Sequence, residues 1–543
     1  MFSILQEFTN EKRLIGFITN HGDDTFILAI FDSETKKLVT KFACKSVHAK
    51  MFINEISKFA ANLFKAFIID LFGLKFELKE PYRNTYEFCE VLKQKFNDLQ
   101  IPSYFISEEN YLFSSLIIAS KILSKNDEIA LIILPHKTSF MFSSNIFGLT
   151  VGEFKFTSNG YKLIKHKTLS SLNVNVSPEI LCHQICGSLN HPQKIIIASF
   201  DCERIPFYQI FNSANLIFIN EASEFYWEKF VVKICKWLFD KNFVKYYILP
   251  TVAKSIRIYG YFGSTNNILE ILNIKVGENL PLTKTAIISK SVPEIHAIIG
   301  DKRQKFRQKM KLPENCHRFQ ISVTMDEENF ESIEILPKCF KGFDKILTKI
   351  DTKLESKIPL IGFFDNSSVI CIYKNSEERY KFLNEWNGMY GNYCFISFDQ
   401  KRPKFGQKAI DSLNTKNTSV IFDLIKIMSM SPENIKPDKK WGFTITKNAE
   451  NRILLKFVNF DGRKKRSTPA FLMALLLRKH LKVIERKIGE KPTKIAFWIM
   501  KQKYSEEEIR RIKEGLKKSC NFLKINCCFV DFKNFCNDFG ESK

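Results

Sequence analysis

A partial duplication constrains this chain more than any other feature. Residues 14–100 and 440–525 pass through the same order of strand, charged turn, long helix, glycine, strand, helix and strand. Gly16-Phe17-Ile18-Thr19-Asn20 aligns with Gly442-Phe443-Thr444-Ile445-Thr446, and apolar strands follow at Phe26 to Phe31 and Ile453 to Phe457. The charged turns are Glu34-Thr35-Lys36-Lys37 and Asp461-Gly462-Arg463-Lys464. Phe52, Ile56, Phe59, Leu63 and Phe67 then make one helical stripe, and Met473, Leu477, Leu481, Ile484 and Ile488 make the other. Gly73 and Gly489 predict the helix ends, and Ser467-Thr468-Pro469 supplies a cap and a first-turn proline for the second helix.

A strand after each glycine is clearest at Ile495-Ala496-Phe497-Trp498-Ile499. Second helices open at Asn84-Thr85-Tyr86-Glu87 and Ser505-Glu506-Glu507-Glu508, and lead to strands at Tyr104-Phe105-Ile106 and Phe522-Leu523-Lys524-Ile525. Strands alternating with helices in this way give an α/β layered fold.

The 543 residues are too many for one core and predict two to four domains. An apolar fraction of 45% with 26% charged residues suits a folded protein, and the net charge of +24 is spread along the chain. Such diffuse basicity favours weak attraction to RNA or anionic surfaces. The longest basic cluster, Arg463-Lys464-Lys465-Arg466, reads as a solvated turn between strand and helix, with a nuclear-import or anion-contacting patch as the alternative. The start, Met1-Phe2-Ser3-Ile4-Leu5-Gln6-Glu7, carries no apolar signal core, and no run of eighteen apolar residues predicts a membrane helix. The 14 cysteines are therefore expected as reduced thiols in a cytoplasmic or nuclear protein. Cys182, His183, Cys186, His191 and Cys202 fit no common zinc spacing, so buried thiols on a helix are expected and no metal is predicted.

A second set of motifs begins at Pro359-Leu360-Ile361-Gly362-Phe363-Phe364-Asp365-Asn366-Ser367-Ser368. It continues through Tyr393 to Asp399, Lys404-Phe405-Gly406-Gln407-Lys408-Ala409 and Asn417-Thr418-Ser419-Val420-Ile421-Phe422-Asp423. This order resembles the start of the nucleotide-binding domain of the seventy-kilodalton heat-shock chaperone family. The repeated unit resembles the middle of the same domain. Asn279 to Lys284, Gly300 to Arg303 and Phe319 to Asp326 resemble the family's substrate-binding β-sandwich. The resemblance implies actin-like (ribonuclease-H-like) lobes, duplicated in part, with a small β-sandwich-like module between. The expected division is 1–128 a partial ATPase-type lobe, 129–275 a degenerate second lobe, 276–345 the sandwich, 346–356 a linker, and 357–543 a second ATPase-type fragment. The N-terminal copy is expected to lack the lobe's opening strands and the C-terminal copy to supply them, so that 357–440 packs on 14–125 or self-association pairs complementary fragments.

The family holds phosphates in two glycine-rich hairpins, with aspartates around a hydrated Mg²⁺ and a lysine at the γ-phosphate. Carried over, the first loop "DLGTT" becomes Phe364-Asp365-Asn366-Ser367-Ser368, and the lysine of "FDAKR" falls on Ile425 beside Lys426. The second hairpin becomes Leu134-Pro135-His136-Lys137-Thr138-Ser139-Phe140-Met141, without aspartate or glycine. The adenosine "GG" becomes Pro250-Thr251, and Ser107 or Glu108 takes the place of a glutamate. Each lost electrostatic group is worth about 3 kcal/mol in the transition state, so the resemblance implies a pseudo-ATPase with no catalytic residue. ATP or ADP would bind weakly, through Asp365, Asn366, Ser367, Ser368 and Lys426. The expected function is a non-hydrolysing chaperone-like scaffold for unfolded or extended polypeptide and co-chaperones, with no membrane partner. A chaperone with residual ATP dependence and a basic RNA-binding protein stand as alternatives.

Overall fold

The computed structural model describes residues 12–22, 24–74, 82, 84–122, 124–136, 146–173, 176–187, 192–198, 207–211, 216–219, 226–264, 266–300, 305–354, 356–500 and 504–532. The chain divides into two compact units. The first takes residues up to Lys254 with Lys275–Leu282 and Thr324–Glu331, and the second takes the remainder. Among the described residues no helix is long and apolar enough to cross a membrane.

The first unit opens with β1 (Leu14–Asn20), β2 (Thr25–Asp32), β3 (Leu38–Lys45), α1 (Ala49–Leu63), β4 (Phe64–Asp70), α2 (Thr85–Asp98), β5 (Ser103–Phe105) and α3 (Glu108–Ser120). The sheet order is β3-β2-β1-β4-β5, with β1–β3 antiparallel and β4 and β5 parallel to β1. A second sheet follows from β6 (Ile129–His136), β7 (Ile146–Thr157), β8 (Gly160–Asn173), α4 (Pro178–Cys186), β9 (Lys194–Ala198), α5 (Phe207–Ile210), β10 (Leu216–Ile219) and α6 (Trp227–Phe239). Its order, β10-β9-β6-β7-β8, is the same path. One apolar core runs from Ile15 and Phe17 of the first sheet to Ile132 and Phe154 of the second. It passes through α3 and α6, where the Trp227 indole N–H donates to Tyr111 at 2.8 Å.

Lying in the second unit apart from Leu282, Thr324–Met325 and Glu331, β11 (Ser255–Tyr261), β12 (Ile268–Ile274), β13 (Leu282–Ser289), β14 (Glu294–Gly300), β15 (Lys305–Lys309), β16 (Arg318–Met325) and β17 (Glu331–Lys338) form two sheets. Their orders are β12-β11-β14-β15 and β13-β16-β17. Strands β11 and β12, expected in the preceding lobe, thus belong to the β module, because β11 pairs with β14 over its whole length. The expected linker at 346–356 instead carries helix α7 (Ile346–Lys353), whose Ile346 and Ile350 bury against Leu360, Phe364 and Trp498.

The C-terminal sheet is built from β18 (Leu360–Phe364), β19 (Ser367–Lys374) and β20 (Arg379–Phe382), and is completed after a long excursion by strands that begin only at Lys494. The excursion holds β21 (Asn392–Tyr393), β22 (Ile396–Ser397), β23 (Lys404–Phe405), α8 (Gln407–Asp411), α9 (Leu413–Lys416), β24 (Val420–Ile421), α10 (Leu424–Ser429), β25 (Thr444–Lys447), β26 (Ile453–Val458) and β27 (Lys464–Ser467). Then come α11 (Pro469–Ile488), β28 (Lys494–Ile499), α12 (Glu506–Leu523) and β29 (Asn526–Phe529). The order β20-β19-β18-β28-β29 repeats the path of the first two sheets.

This topology corrects the repeat alignment. Gly442 precedes β25, which lies in a separate sheet, β25-β26-β27, so it is not the counterpart of Gly16. The counterpart is Gly362: Gly16 and Gly362 both sit in the central strand, opposite Phe67 and Trp498 of the parallel neighbour. A Cβ would lie 2.2 Å from the Phe67 ring in one copy and 2.8 Å from the Trp498 ring in the other. Each sheet also draws its opening strands from its own segment, β1–β3 or β18–β20. The expected completion of the N-terminal copy by 357–440 does not occur, since β18 is paired by β19 and β28. The first long helix ends at Leu63 rather than Gly73, and Phe67 lies on β4. The second follows the reading: the Thr468 hydroxyl caps the Phe471 N–H, and Gly489 closes the helix at φ 86°. Helix α12 runs through Phe522, and the last strand starts at Asn526.

Candidate functional site

The turn between β18 and β19 is where the resemblance puts the first phosphate loop. Asp365 adopts φ 45°, a left-handed conformation that aspartate and asparagine tolerate better than most residues. Its carboxylate accepts two hydrogen bonds from Arg318 at the start of β16, Nε to Oδ2 at 3.0 Å and a terminal nitrogen to Oδ1 at 3.2 Å. The next residue, Asn366, is buried and clasps Asp423. Its amide donates to the Asp423 carboxylate, and its own oxygen accepts the Asp423 backbone N–H at 2.7 Å. Asp423, itself at φ 60° ahead of α10, also accepts from the Trp441 indole at 2.8 Å and pairs with Lys440 at 2.7 Å.

Charges alternate outward from this clasp. Lys440 lies 3.8 Å from Asp438, which pairs with Lys426 at 2.7 Å. Burial raises the Asp438 pKa, but the Lys426 hydrogen bond and the Lys440 charge outweigh it and leave the carboxyl below its ordinary value. The Tyr504 phenol is pushed well up by burial and, to a lesser degree, by the charges of Asp423 and Asp365.

The two serines point elsewhere. Ser368 is fully buried, donates to Nε2 of His480 at 2.8 Å and accepts from the Trp386 indole at 3.1 Å. The other nitrogen of His480 donates to the Leu476 carbonyl at 2.8 Å, and burial holds the imidazole down at about 4, so it is neutral. Ser368 and His480 have the polarity of a nucleophile and its base, yet both are fully buried, which keeps substrate away. Ser367 is 1% exposed, and its hydroxyl finds no hydrogen-bond partner among the described residues.

The β module closes over this region from the same unit. Phe262 stacks on Phe422 at 5.3 Å, and Phe422 stacks on Phe395 at 4.7 Å. The Asn267 amide donates to the carbonyls of Lys439 and Trp441. Nε2 of His317 donates to the Met389 carbonyl at 2.9 Å while its Nδ1 accepts the Phe340 N–H at 3.1 Å. Burial holds His317 down at about 4. Lys290, 6% exposed, donates to the carbonyls of Tyr390 and Gly391, and burial lowers it to about 8.

The five residues singled out from the sequence thus lie along one set of contacts, but each is already engaged by protein or buried. The donor set does not fit a Mg²⁺-nucleotide. Asp365 faces a guanidinium, Asn366 is spent on Asp423, the serines are buried, and Lys426 is neutralised by Asp438. Ile425, where the resemblance expects a lysine, is 6% exposed and lies in the core. Of the second expected hairpin, Leu134, Pro135 and His136 lie on β6, paired to β7, while Lys137 to Met141 fall outside the described residues. Ser107 caps α3, and the Thr251 carbonyl accepts from Asn329. Cys182 and Cys186 share α4 but are only partly buried, and no metal-ligand cluster occurs among the described residues. Arg318, Lys440 and Trp441 had no signal in the sequence, since each joins the site through long-range packing. No protein-family model matches the chain, and no curated protein matches it.

Proposed function

We propose that this chain is a divergent, rearranged relative of the seventy-kilodalton heat-shock chaperones that acts as a protein-binding scaffold without turning over ATP. Its partners are unfolded or extended polypeptide segments and co-chaperone-like proteins. Three sheets share one five-strand path, in which the first strand is central, with a two-strand antiparallel meander on one side and two parallel strands on the other. That recurrence supports reading them as actin-like lobes. The observation that carries the non-hydrolysing part is the Arg318–Asp365 pair joined to the Asn366–Asp423 clasp. These contacts put protein charge and amide groups where a phosphate loop would need free backbone donors. The contacts of Phe262, Asn267, Lys290 and His317 support a module held in one arrangement rather than released by a ligand.

The test titrates ATP and ADP, with and without Mg²⁺, into the full chain while a fluorescent extended apolar peptide reports polypeptide binding. Peptide binding with an affinity unchanged by nucleotide is the expected result. Peptide release on adding ATP would overturn it in favour of a residual ATP-dependent chaperone. RNA binding that falls steeply with salt, without peptide binding, would overturn it in favour of a nucleic-acid protein.

A further inference from the structure

The basic cluster that reads as a turn in the sequence is mostly strand. Only Arg463 lies in the turn after β26, while Lys464, Lys465 and Arg466 lie on β27. The register sets Lys456 opposite Arg466 and Val458 opposite Lys464, with Thr444 on the other side of Lys456. Paired positions share a face of a sheet, and alternate residues along a strand return to it. One face of β25–β27 therefore carries Lys456, Lys464 and Arg466 among Thr444, Leu454 and Val458, and no acidic side chain. The other face carries Leu455 and Phe457, which are buried, and Phe457 packs on Phe398 at 4.5 Å. The basic face is thus the outer one, with Lys464 and Arg466 exposed and Lys456 half-buried.

The same sign continues into the next element, since Thr468 alone separates β27 from α11. On α11 the exposed positions Arg478, Lys482 and Arg486 recur every four residues along one stripe, with Lys479 beside it, while Leu477, Leu481 and Ile484 are buried. Between residues 444 and 487 the chain holds twelve Lys and Arg against three acidic residues, so a large part of the net charge of +24 gathers here. Glu450 and Asp461 pair with Arg452 and Arg463 in the turns, and Lys487 pairs with Glu385. Lys456 and the three cations of β27, like the four of α11, make no ion pair or side-chain hydrogen bond among the described residues. Cations without a counter-charge repel one another, and a polyanion laid over them would relieve that repulsion while releasing its own counterions.

We propose that the outer face of β25–β27 and the basic stripe of α11 form a docking surface for a single-stranded nucleic acid, held through its phosphates without base selectivity. Rows of lysine and arginine suit a linear anion with a charge on every unit better than a compact one. Phe460, 43% exposed in the turn that also holds Arg463, offers a ring on which a base can stack. Leu454 and Val458 on the same face are half-buried, so the surface has little apolar area to sink into a lipid layer. The surface adds to the polypeptide-binding reading and does not depend on it.

The test follows the fluorescence anisotropy of a labelled oligouridylate titrated with the full chain between 50 and 200 mM salt. With about five phosphates neutralised, affinity should fall roughly 100-fold over that range. Lys464→Glu with Arg466→Glu, and separately Lys482→Glu with Arg486→Glu, should each weaken binding about ten-fold or more and flatten the salt dependence. Lys36→Glu with Lys37→Glu makes the same change of charge in the exposed turn after β2, and should leave affinity within about two-fold. No binding by the wild type at 50 mM salt, or an equal loss in the Lys36 and Lys37 control, would overturn the proposal. So would binding to phosphatidylserine vesicles that is lost in the same two variants, with no binding of the oligonucleotide, because the surface would then belong to a lipid layer. The two variant pairs sit on different elements, so misfolding of one leaves the other to decide.

Discussion

Arg318 and Asp365, 47 residues apart in sequence, meet in a two-pronged ion pair with side chains only 11% and 12% exposed. The pair ties the first residue of β16 to the turn between β18 and β19, so the β module and the C-terminal sheet share one electrostatic joint. Little water screens it, and a guanidinium matches a carboxylate in plane.

Removing one partner of such a pair is expected to cost more than the pair contributes. Arg318→Ala should destabilise the second unit by about 3 kcal/mol, because the carboxylate loses its principal counter-charge while staying mostly buried. The double variant Arg318→Met, Asp365→Asn should recover part of that loss. Urea unfolding midpoints of the wild type and the two variants check both statements. Equal midpoints for Arg318→Ala and wild type would remove the joint from the account.

The central-strand glycines give a prediction that spans both copies. A methyl at Gly362 would come within 2.8 Å of the Trp498 ring and 3.0 Å of Val369, and one at Gly16 within 2.2 Å of Phe67. Rings on a fully packed sheet have little room to retreat, so each Gly→Ala change should cost about 1–3 kcal/mol. Gly16→Ala should be the more harmful. Gly462, with nothing within 4 Å, lies in an open turn at φ 78°, so an alanine there should cost only the backbone strain. Thermal melts of the three variants rank them.

What the sequence could tell follows from these same residues. Helix α11 was legible because its signals are local: Thr468 and Pro469 start it, and Gly489 ends it. Its N-terminal counterpart was overrun, because Phe64 to Asp70 continues an apolar run that periodicity alone cannot divide between helix and strand. The duplication was legible from the long helices onward, but the match of Gly16-Phe17 to Gly442-Phe443 was misleading. The four identical residues Leu14-Ile15-Gly16-Phe17 and Leu360-Ile361-Gly362-Phe363 mark the true equivalence, and sheet pairing distinguishes them. At the site, Asp365, Asn366 and Asp423 stood in recognisable segments. Arg318 and Lys440 reach them only through tertiary packing, which leaves no periodic trace.

Acid should weaken the fold through two buried imidazoles. His317 and His480 each have a folded-state pKa lowered to about 4 by burial, below the ordinary 6.5. Between those values the unfolded chain binds more protons than the folded one. The stability from each neutral ring is therefore fully present above 6.5 and is lost as pH falls toward 4, by about 1.4 kcal/mol per unit for each. The hydrogen bonds agree, since Nδ1 of His317 and Nε2 of His480 both act as acceptors and have no place for a second proton. Unfolding free energies measured from pH 7 to pH 4 should show this slope, and His480→Gln should flatten it. A wild-type slope of zero would refute the neutral assignment.

Placing a lysine at 425, where the proposed resemblance expects one, is the sharpest test of the pseudo-ATPase reading, because the outcome depends on where Ile425 sits. Its side chain is 6% exposed on α10, beside Leu424 and Ile427 in the core, and it does not face an open loop. A lysine there must bury an ammonium or push α10 outward, so Ile425→Lys should destabilise the unit by about 3 kcal/mol or more. It should bring no Mg²⁺-dependent hydrolysis, since Asp365 would still face Arg318 and Asn366 would still clasp Asp423. Combining it with Asn366→Gly removes the clasp and with it about 2 kcal/mol, again without turnover. Phosphate release assays on the wild type and both variants, run beside melting curves, separate lost stability from gained activity. Hydrolysis by the wild-type chain that disappears in Asp365→Ala would mean that Asp365 holds a metal in solution, and the scaffold reading would fall.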